Sequence, residues 1–442
     1  MDEPPQTLHD RPSPAGSVGS VNAASQGPGA MEGDAAAKVS DDRSNSDPDF
    51  LVIDDLDRYS RLRLISWWRQ ERLREARVLV VGAGALGNEV VKNLALVGLG
   101  TIHLIDLDEV ELSNLSRSVL FRSDDGGQPK AEVAARRALD LNPEITIIPI
   151  HGDVITDVGL GLFADVDLVI GCLDNREARL WVNRQCWKVG TPWIDAGIQE
   201  IQGVVKVFVP PDSACYECTM TARDYQLLNL RYSCPLLRRE EIVAGKVPTA
   251  PTIASMMAAL QVQEALKLLH GLPVAAGSAL VFNGVANQFY STRLPRRDDC
   301  LSHETYPEPV ELELGHRSTV SDLLQAAGAH VEGPLQLVLD RELVVAIECP
   351  RCAWRGEVMR PRVKVRAAEA VCASCLRPAL PIFTSAVEES SPLAEEPLCR
   401  VGIPPYDIVR VDGPAGSGFF LLAADRGDGI RTGHEDTAGE RG

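Results

Sequence analysis

The stretch Arg77-Val78-Leu79-Val80-Val81-Gly82-Ala83-Gly84-Ala85-Leu86-Gly87-Asn88 decides the fold of this 442-residue chain. Val78 to Val81 reads as a buried strand, Gly82 to Gly87 as a glycine turn and Asn88 to Val97 as a helix. A second strand, Thr101 to Ile105, ends in Asp106. That order is a nucleotide-binding βαβ unit. Gly82, Gly84 and Gly87 let backbone N–H groups approach a phosphate at a helix N-terminus, and Asp106 is placed to bond a ribose hydroxyl. Alone, the fingerprint says only nucleotide, and a dinucleotide fits it as well.

Downstream residues narrow the choice. Asp108, the run Ser113-Asn114-Leu115-Ser116-Arg117 and then Gln128-Pro129-Lys130 follow Asp106, with Lys130 opening a helix to Leu141. Arg117 and Lys130 are two fixed cations that suit a triphosphate better than a pyrophosphate bridge. Ile145 to Ile150 and Asp167 to Gly171 are short apolar runs of the kind that form buried parallel strands. The second leads into Cys172-Leu173-Asp174-Asn175. Open parallel sheets bind ligands at the carboxyl ends of their strands, so Asp174 is placed to hold Mg²⁺ or to cap the helix Arg176 to Cys186. Trp193 to Ile198 and Gln202 to Val209 continue the sheet, and a long helix runs from Thr252 to His270. The expected fold class is α/β: a Rossmann-like, mostly parallel sheet with helices on both faces, followed by a small α+β zinc-containing domain.

Arg58-Tyr59-Ser60-Arg61, the GAGALG turn, Ile105-Asp106-Leu107-Asp108, Ser113 to Arg117, Gln128-Pro129-Lys130 and Cys172 to Asn175 occur in an order and spacing that resemble the ubiquitin-activating-enzyme-like (ThiF/MoeB/HesA) adenylyltransferases. The resemblance covers roughly residues 51 to 303. It implies ATP and Mg²⁺ as cofactors, held by Gly82, Gly84, Ala85, Gly87, Asp106, Asp108, Asn114, Arg117, Lys130, Asp174 and Asn175. It implies catalytic roles for Arg61, Arg117, Lys130 and Asp174, the last with the magnesium. On pattern alone Arg61 is a solvated residue of a helix or helical pair, Leu56 to Leu73, with Leu62, Ile65 and Trp68 as its apolar stripe. By resemblance it reaches across a homodimer to the partner's ATP. The implied substrate is the C-terminal glycine of a ubiquitin-like β-grasp protein, received on the Trp193 to Val209 face. Two departures stand out: Ala85 where many members have a further glycine, and Ser118 where a Gln usually follows the Arg. A catalytically inactive zinc scaffold of the same fold and an NAD-dependent oxidoreductase are the alternatives.

Eleven cysteines, mostly in Cys-x-x-Cys pairs, point to zinc in a reducing compartment and hence the cytoplasm. Cys215-x-x-Cys218 with the distant Cys300-x-x-His303 makes a candidate tetrahedral Zn²⁺ site. In the resembling enzymes a second Cys-x-x-Cys is usual, so His303 is a departure. Cys349-x-x-Cys352 and Cys372-x-x-Cys375, nineteen residues apart, have zinc-ribbon spacing. Swapped pairing between the sets and a redox dithiol remain open. Cys234 lies in a basic connection, Thr221 to Ala250, where Arg231, Arg238 and Arg239 could lower its pKa. By resemblance it matches a loop cysteine that takes the activated carboxylate as a thioester or handles sulfur; an incidental thiol is the alternative. Cys172, Cys186 and Cys399 read as core or incidental thiols.

A net charge of −18 argues against nucleic acid or an anionic membrane as main partner, and no apolar run of 18 residues suggests a membrane span. Residues 1 to 50 carry nine acids, three bases and one aromatic, which reads as a disordered acidic arm, and the tail 425 to 442 reads as disordered too. Residues 51 to 303 are expected to form the ATP-binding domain. Residues 304 to 424 should be a separate zinc-ribbon-containing module, plausible as ubiquitin-fold-like, with a helix Thr319 to Ala327, a hairpin within Leu335 to Ile347 and a closing pair Tyr406 to Val411 and Gly418 to Leu422.

Overall fold

The computed structural model describes residues 57–226 and 248–426. A short helix α1 (Gln70–Glu75) leads into β1 (Arg77–Val81), helix α2 (Ala85–Leu96) and β2 (Thr101–Asp106), which lies parallel to β1 with Val81 opposite Ile105. Helix α3 (Lys130–Leu141) crosses to β3 (Thr146–His151), and α4 (Leu160–Asp165) to β4 (Leu168–Gly171). Helix α5 (Arg176–Val189) then precedes β5 (Trp193–Gln199) and β6 (Gln202–Phe208). The long helix α6 (Pro251–His270) is followed by β7 (Ser278–Asn283) and β8 (Gln288–Arg293).

These strands make one eight-stranded sheet in the order β3-β2-β1-β4-β5-β6-β7-β8. The first five neighbours are parallel, and the last three strands are antiparallel additions. Val78, Leu79, Val80, Leu168, Val169 and Ile170 are fully buried, because helices cover both faces. On one face α2, α3 and α6 contribute Val90, Leu94, Ala134 and Met257; on the other α4 and α5 contribute Phe163, Val182 and Trp187. The expected α/β fold is the one observed.

The helix expected over Leu56 to Leu73 is broken. Only the turn Leu62–Leu64 and α1 are helical, and Ile65 is exposed while Trp68 is buried. The cause is His270 at the end of α6. Trp67 and Trp68 pack on its ring at 5.2 and 5.4 Å, and its Nε2 accepts the Arg69 N–H at 3.1 Å, so the chain turns to meet it.

The second sheet runs β11-β10-β13-β14-β9, with β12 along the other side of β10. Its members are β9 (Val310–Leu312), β10 (Gln336–Glu348), β11 (Arg355–Pro361), β12 (Leu380–Glu388), β13 (Ile408–Gly413) and β14 (Gly416–Leu422). Helix α7 (Val320–Ala327) opens on a reciprocal cap, the Thr319 hydroxyl accepting the Asp322 N–H at 3.0 Å and the Asp322 carboxylate the Thr319 N–H at 2.9 Å. The hairpin expected within Leu335 to Ile347 is instead the single strand β10, 13 residues long, whose pairing with β12 shifts between Val338 and Leu343. The polar residues Asp340 and Arg341, which resemble a turn in sequence, are consumed by contacts to other elements. Lys188 of α5 reaches Asp340 at 2.5 Å, and Arg341 pairs with Asp407 at 3.3 Å.

Those contacts dock the second sheet on the α4–α5 face of the first. Asp407 also accepts the Leu160 N–H at 2.6 Å, the Tyr406 carbonyl accepts the Gly161 N–H at 3.1 Å, and the Arg341 guanidinium lies 4.5 Å over the Trp181 ring. At Gly159 and Gly161 a Cβ would stand 2.4 and 2.5 Å from the Tyr406 carbonyl oxygen, so only glycine permits this approach. Among the described residues no helix is long and apolar enough to cross a membrane.

Candidate active site

Because β1, β2 and β4 are parallel, the glycine turn after β1, Asp106 at the end of β2 and Asp174 beyond β4 lie at one edge of the sheet. Gly82 takes φ +102°, and a Cβ there would stand 2.5 Å from the Cys172 carbonyl; at Gly87 it would stand 1.9 Å from the Gly82 carbonyl. Gly84 is different. Nothing lies within 4 Å of its Cβ position, it is the N-cap of α2, and no side chain caps that helix. An open glycine ahead of uncapped helical N–H groups is a cradle for phosphate. Ala85, the first helical residue, contributes only backbone there, so its departure from glycine costs nothing.

The turn is held by two side chains. Asp106 accepts the Ala83 N–H at 2.6 Å and the Asp108 N–H at 2.8 Å. Burial pushes its carboxyl up, opposed by Lys130 and those two N–H groups. Asn88, fully buried, donates to the Ala83 and Gly84 carbonyls at 2.7 and 3.1 Å and accepts the Leu120 N–H at 2.8 Å. It thereby ties the turn to the loop carrying Asn114 and Arg117. Its signal in the sequence is an Asn placed in the first turn of an otherwise apolar helix.

The two cations sit differently. Lys130, nearly buried, has its Nζ 2.8 Å from Asp108, whose side chain is exposed. Arg117 is half-buried and donates to the Ser113 carbonyl at 2.8 Å, leaving most of its fork for a ligand. Asn114 is buried, its Oδ1 accepting the Glu111 N–H at 2.9 Å. Ser118 is buried as well.

Asp174 is exposed, and among the described residues its carboxylate takes one hydrogen bond, a long one at 3.3 Å from the Asn175 amide. The capping role considered for it belongs to its neighbour, since Asn175 accepts the Ala178 N–H at 2.8 Å. A free carboxylate with unused lone pairs suits a hard cation. Arg61 is exposed; its carbonyl accepts the Leu64 N–H at 3.3 Å, and its guanidinium makes no hydrogen bond or ion pair among the described residues. Cys234 lies outside the described residues.

Sequence reading missed a buried charged group beside Asp174. Arg179 donates from Nε to Asp195 at 2.9 Å and from its terminal nitrogen to the carbonyls of Leu173 and, at 2.9 Å, Ala196. Lys206 stands opposite Asp195 on β6, 5.2 Å over the Tyr216 ring. Burial pushes the Asp195 carboxyl up and the Lys206 ammonium down, their mutual attraction opposing both shifts. An acid within Trp193-Ile-Asp-Ala and a base within Val204-Val-Lys-Val were the available clues. Burial, with Asp195 nearby, pushes the Cys172 thiol well up, and burial alone does so for Cys186, so neither is a nucleophile at neutral pH.

Both expected cysteine groupings assemble. Cys215, Cys218, Cys300 and His303 form one group of potential ligand atoms and Cys349, Cys352, Cys372 and Cys375 the other, all within 4.8 Å of one another in each. Sulfur separations are 3.5 and 3.7 Å from Cys215 to Cys300 and Cys218, and 3.4 to 3.9 Å in the second group. A tetrahedron of Zn–S bonds has edges of about 3.8 Å, so both groups could hold zinc with no open position. In the first, the Arg297 N–H points at the Cys218 sulfur at 3.3 Å and Trp187 stacks on the His303 ring. Burial and Arg296 push His303 down, favouring the neutral imidazole a metal needs. Cys399 is exposed and belongs to neither group.

The Escherichia coli sulfur carrier protein ThiS adenylyltransferase is 33% identical over 259 residues, covering 58% of this chain and 95% of that protein. The molybdopterin-synthase adenylyltransferase of Salmonella typhimurium is 34% identical, covering 55% and 94%. The ubiquitin-like modifier-activating enzyme 5 of Drosophila ananassae is 30% identical over 345 residues, covering 72% and 83%. A solved structure of E. coli MccB with ATP superposes with a TM-score of 0.48 at 27% identity, covering 57% of this chain and 74% of that one. The model of the ThiF family matches residues 56–302, more than half of the sequence, and the chain belongs to that family.

Proposed function

We propose that this protein is an ATP-dependent adenylyltransferase that activates the C-terminal carboxylate of a ubiquitin-like β-grasp protein or sulfur carrier. The observation that carries the reading is the gathering of an open glycine cradle, Lys130, Arg117 and an exposed Asp174 at one edge of the parallel sheet. The adenylyltransferase relatives support it.

On this reading the glycine turn and the N-terminus of α2 take the phosphates. Lys130 and Arg117 neutralise charge as it shifts from the α-phosphoryl group to the leaving pyrophosphate. Asp174 would hold Mg²⁺, which supplies further charge neutralisation on the triphosphate. A substrate carboxylate oxygen attacks the α-phosphorus, the bond to the β-phosphate oxygen breaks, and a protein-adenylate and pyrophosphate result. The carboxylate is already ionised at neutral pH, so no general base is required. Arg61 would complete the site of the partner in a homodimer. Both cysteine groups would hold structural zinc. Residues 51–303 would be the adenylation domain and 304–424 a module that recruits a downstream protein, with Cys234 as acceptor of the acyl group in a thioester.

ATP–pyrophosphate exchange with β-grasp proteins ending in Gly-Gly tests this. Exchange with at least one such protein is expected, together with loss of it in Arg117→Ala while the fold is kept. An Arg117→Ala protein with undiminished exchange would overturn the assignment of residues, and ATP-independent behaviour of the wild type would overturn the function.

A further inference from the structure

The ladder between β4 and β5 stops at the pair Gly171–Asp195, after which β4 leaves the sheet toward Asp174 while β5 continues. Carbonyls at such a parting lose their partners, and buried ones must be satisfied by something else. Here a side chain bridges the gap from each face of the sheet. Arg179 spans Leu173 of the departing chain and Ala196 of β5. From the other face Gln261, fully buried on α6, donates to the Gly171 carbonyl at 2.9 Å and the Ile194 carbonyl at 3.4 Å. The residue after Leu173 is Asp174.

Arg179 can hold two carbonyls in a fixed fork only if its own plane is fixed, and Asp195 does that through Nε at 2.9 Å. The Asp195 side chain is 4% exposed and that of Arg179 13%, so the pair is shielded from solvent. Lys206, opposite Asp195 on β6, adds a second cation to the same carboxylate's surroundings. A Cβ at Gly171 would stand 3.1 Å from the Trp193 ring and 3.2 Å from Asp195 Oδ1, so the ring and the carboxylate together fill the space that the missing side chain leaves.

We propose that Asp195 is a positioning residue for the cation-binding carboxylate: by orienting Arg179 it sets where the backbone delivers Asp174 at the edge of the sheet. This rests on the reading of Asp174 as the magnesium ligand. Asp195 touches neither nucleotide nor metal on this account. Its effect passes through one guanidinium and one carbonyl.

The test is calorimetric binding of ATP to the full-length protein across a series of Mg²⁺ concentrations, and again in EDTA. Asp195→Asn keeps shape and removes the charge that orients Arg179. It should need about tenfold more Mg²⁺ for half-maximal enhancement of ATP binding, the size of effect that outer-shell changes have on metal affinity. Binding in EDTA and zinc content should stay at wild-type values, while the melting temperature should fall, because the buried Arg179 loses its counter-charge; the comparison is made at a temperature where the variant is folded. Arg179→Lys, which keeps the charge but loses the fork, should show the same shift, and it serves in place of Asp195→Asn if that variant fails to fold. Unchanged Mg²⁺ dependence in a folded variant would overturn the proposal, as would parallel loss of binding in EDTA. If wild-type binding of ATP ignores Mg²⁺, the magnesium assignment fails and takes the proposal with it. A wild type that binds no ATP instead overturns the adenylyltransferase reading.

Discussion

His103 sits in the middle of β2, 3% exposed, with no hydrogen-bond partner for Nδ1 among the described residues. Burial, with Arg77 adding to it and Asp165 opposing, lowers its pKa from 6.5 to about 4. The unfolded chain therefore binds a proton that the folded chain refuses between those values. Stability from this group is complete above pH 6.5 and is lost as pH falls toward 4. Linkage gives a loss of about 2 kcal/mol between pH 7 and pH 5. In urea titrations at the two pH values, His103→Leu should lack that portion of the wild-type difference. The residues of the proposed nucleotide site obey shorter-range rules, which is why their placement together at the end of the sheet was legible. The glycine turn, Asp106 and Lys130 are specified by spacing along one βαβ unit. Arg179 and Asp195 lie on different elements and meet only after the sheet forms, so each alone reads as a surface charge or an oddity in a strand.

At the scale of elements, the cysteine groups were legible because ribbon spacing is local, whereas joining Cys215 and Cys218 to Cys300 and His303 required the strands between them to fold back. Metal analysis of the purified protein should find about two zinc ions per chain, and Cys352→Ser should reduce this to about one. Loss of metal from Cys352→Ser should also expose Ile347 and Trp354, which pack with Cys349 and Cys372, and shift Trp emission to the red. Strand β10 shows where periodicity fails. Asp340 and Arg341 interrupt its apolar alternation and suggest a turn, yet their partners are Lys188 and Asp407 on elements that a local pattern does not see. The break before α1 has the same origin: the Leu62, Ile65, Trp68 spacing suits a helix, and His270, two hundred residues on, wins.

At the scale of the molecule, the two sheets are joined by a buried ion pair whose members are each 6% exposed. Asp407→Ala would leave the Arg341 charge uncompensated and the Leu160 N–H without its acceptor, and should cost about 3–5 kcal/mol in urea unfolding. The trans role proposed for Arg61 has its own test. Mixing inactive Arg61→Ala and Lys130→Ala proteins, followed by subunit exchange, should recover about a quarter of wild-type exchange activity, since half the dimers then hold one intact site. No recovery would mean that each chain completes its own site. Strand β10 joins these themes. Its middle is fastened to α5 and to Asp407, the residue just ahead of β13, and its last residue, Glu348, runs directly into Cys349. One continuous backbone thus spans from the docking contacts to the cysteine knuckle, a reach of roughly 30 Å at strand rise. Stripping the metal should therefore be felt far from it: amide protons along β10 would lose protection from deuterium as one block, with slower exchange giving way as far back as Leu337 rather than fraying only beside the thiols.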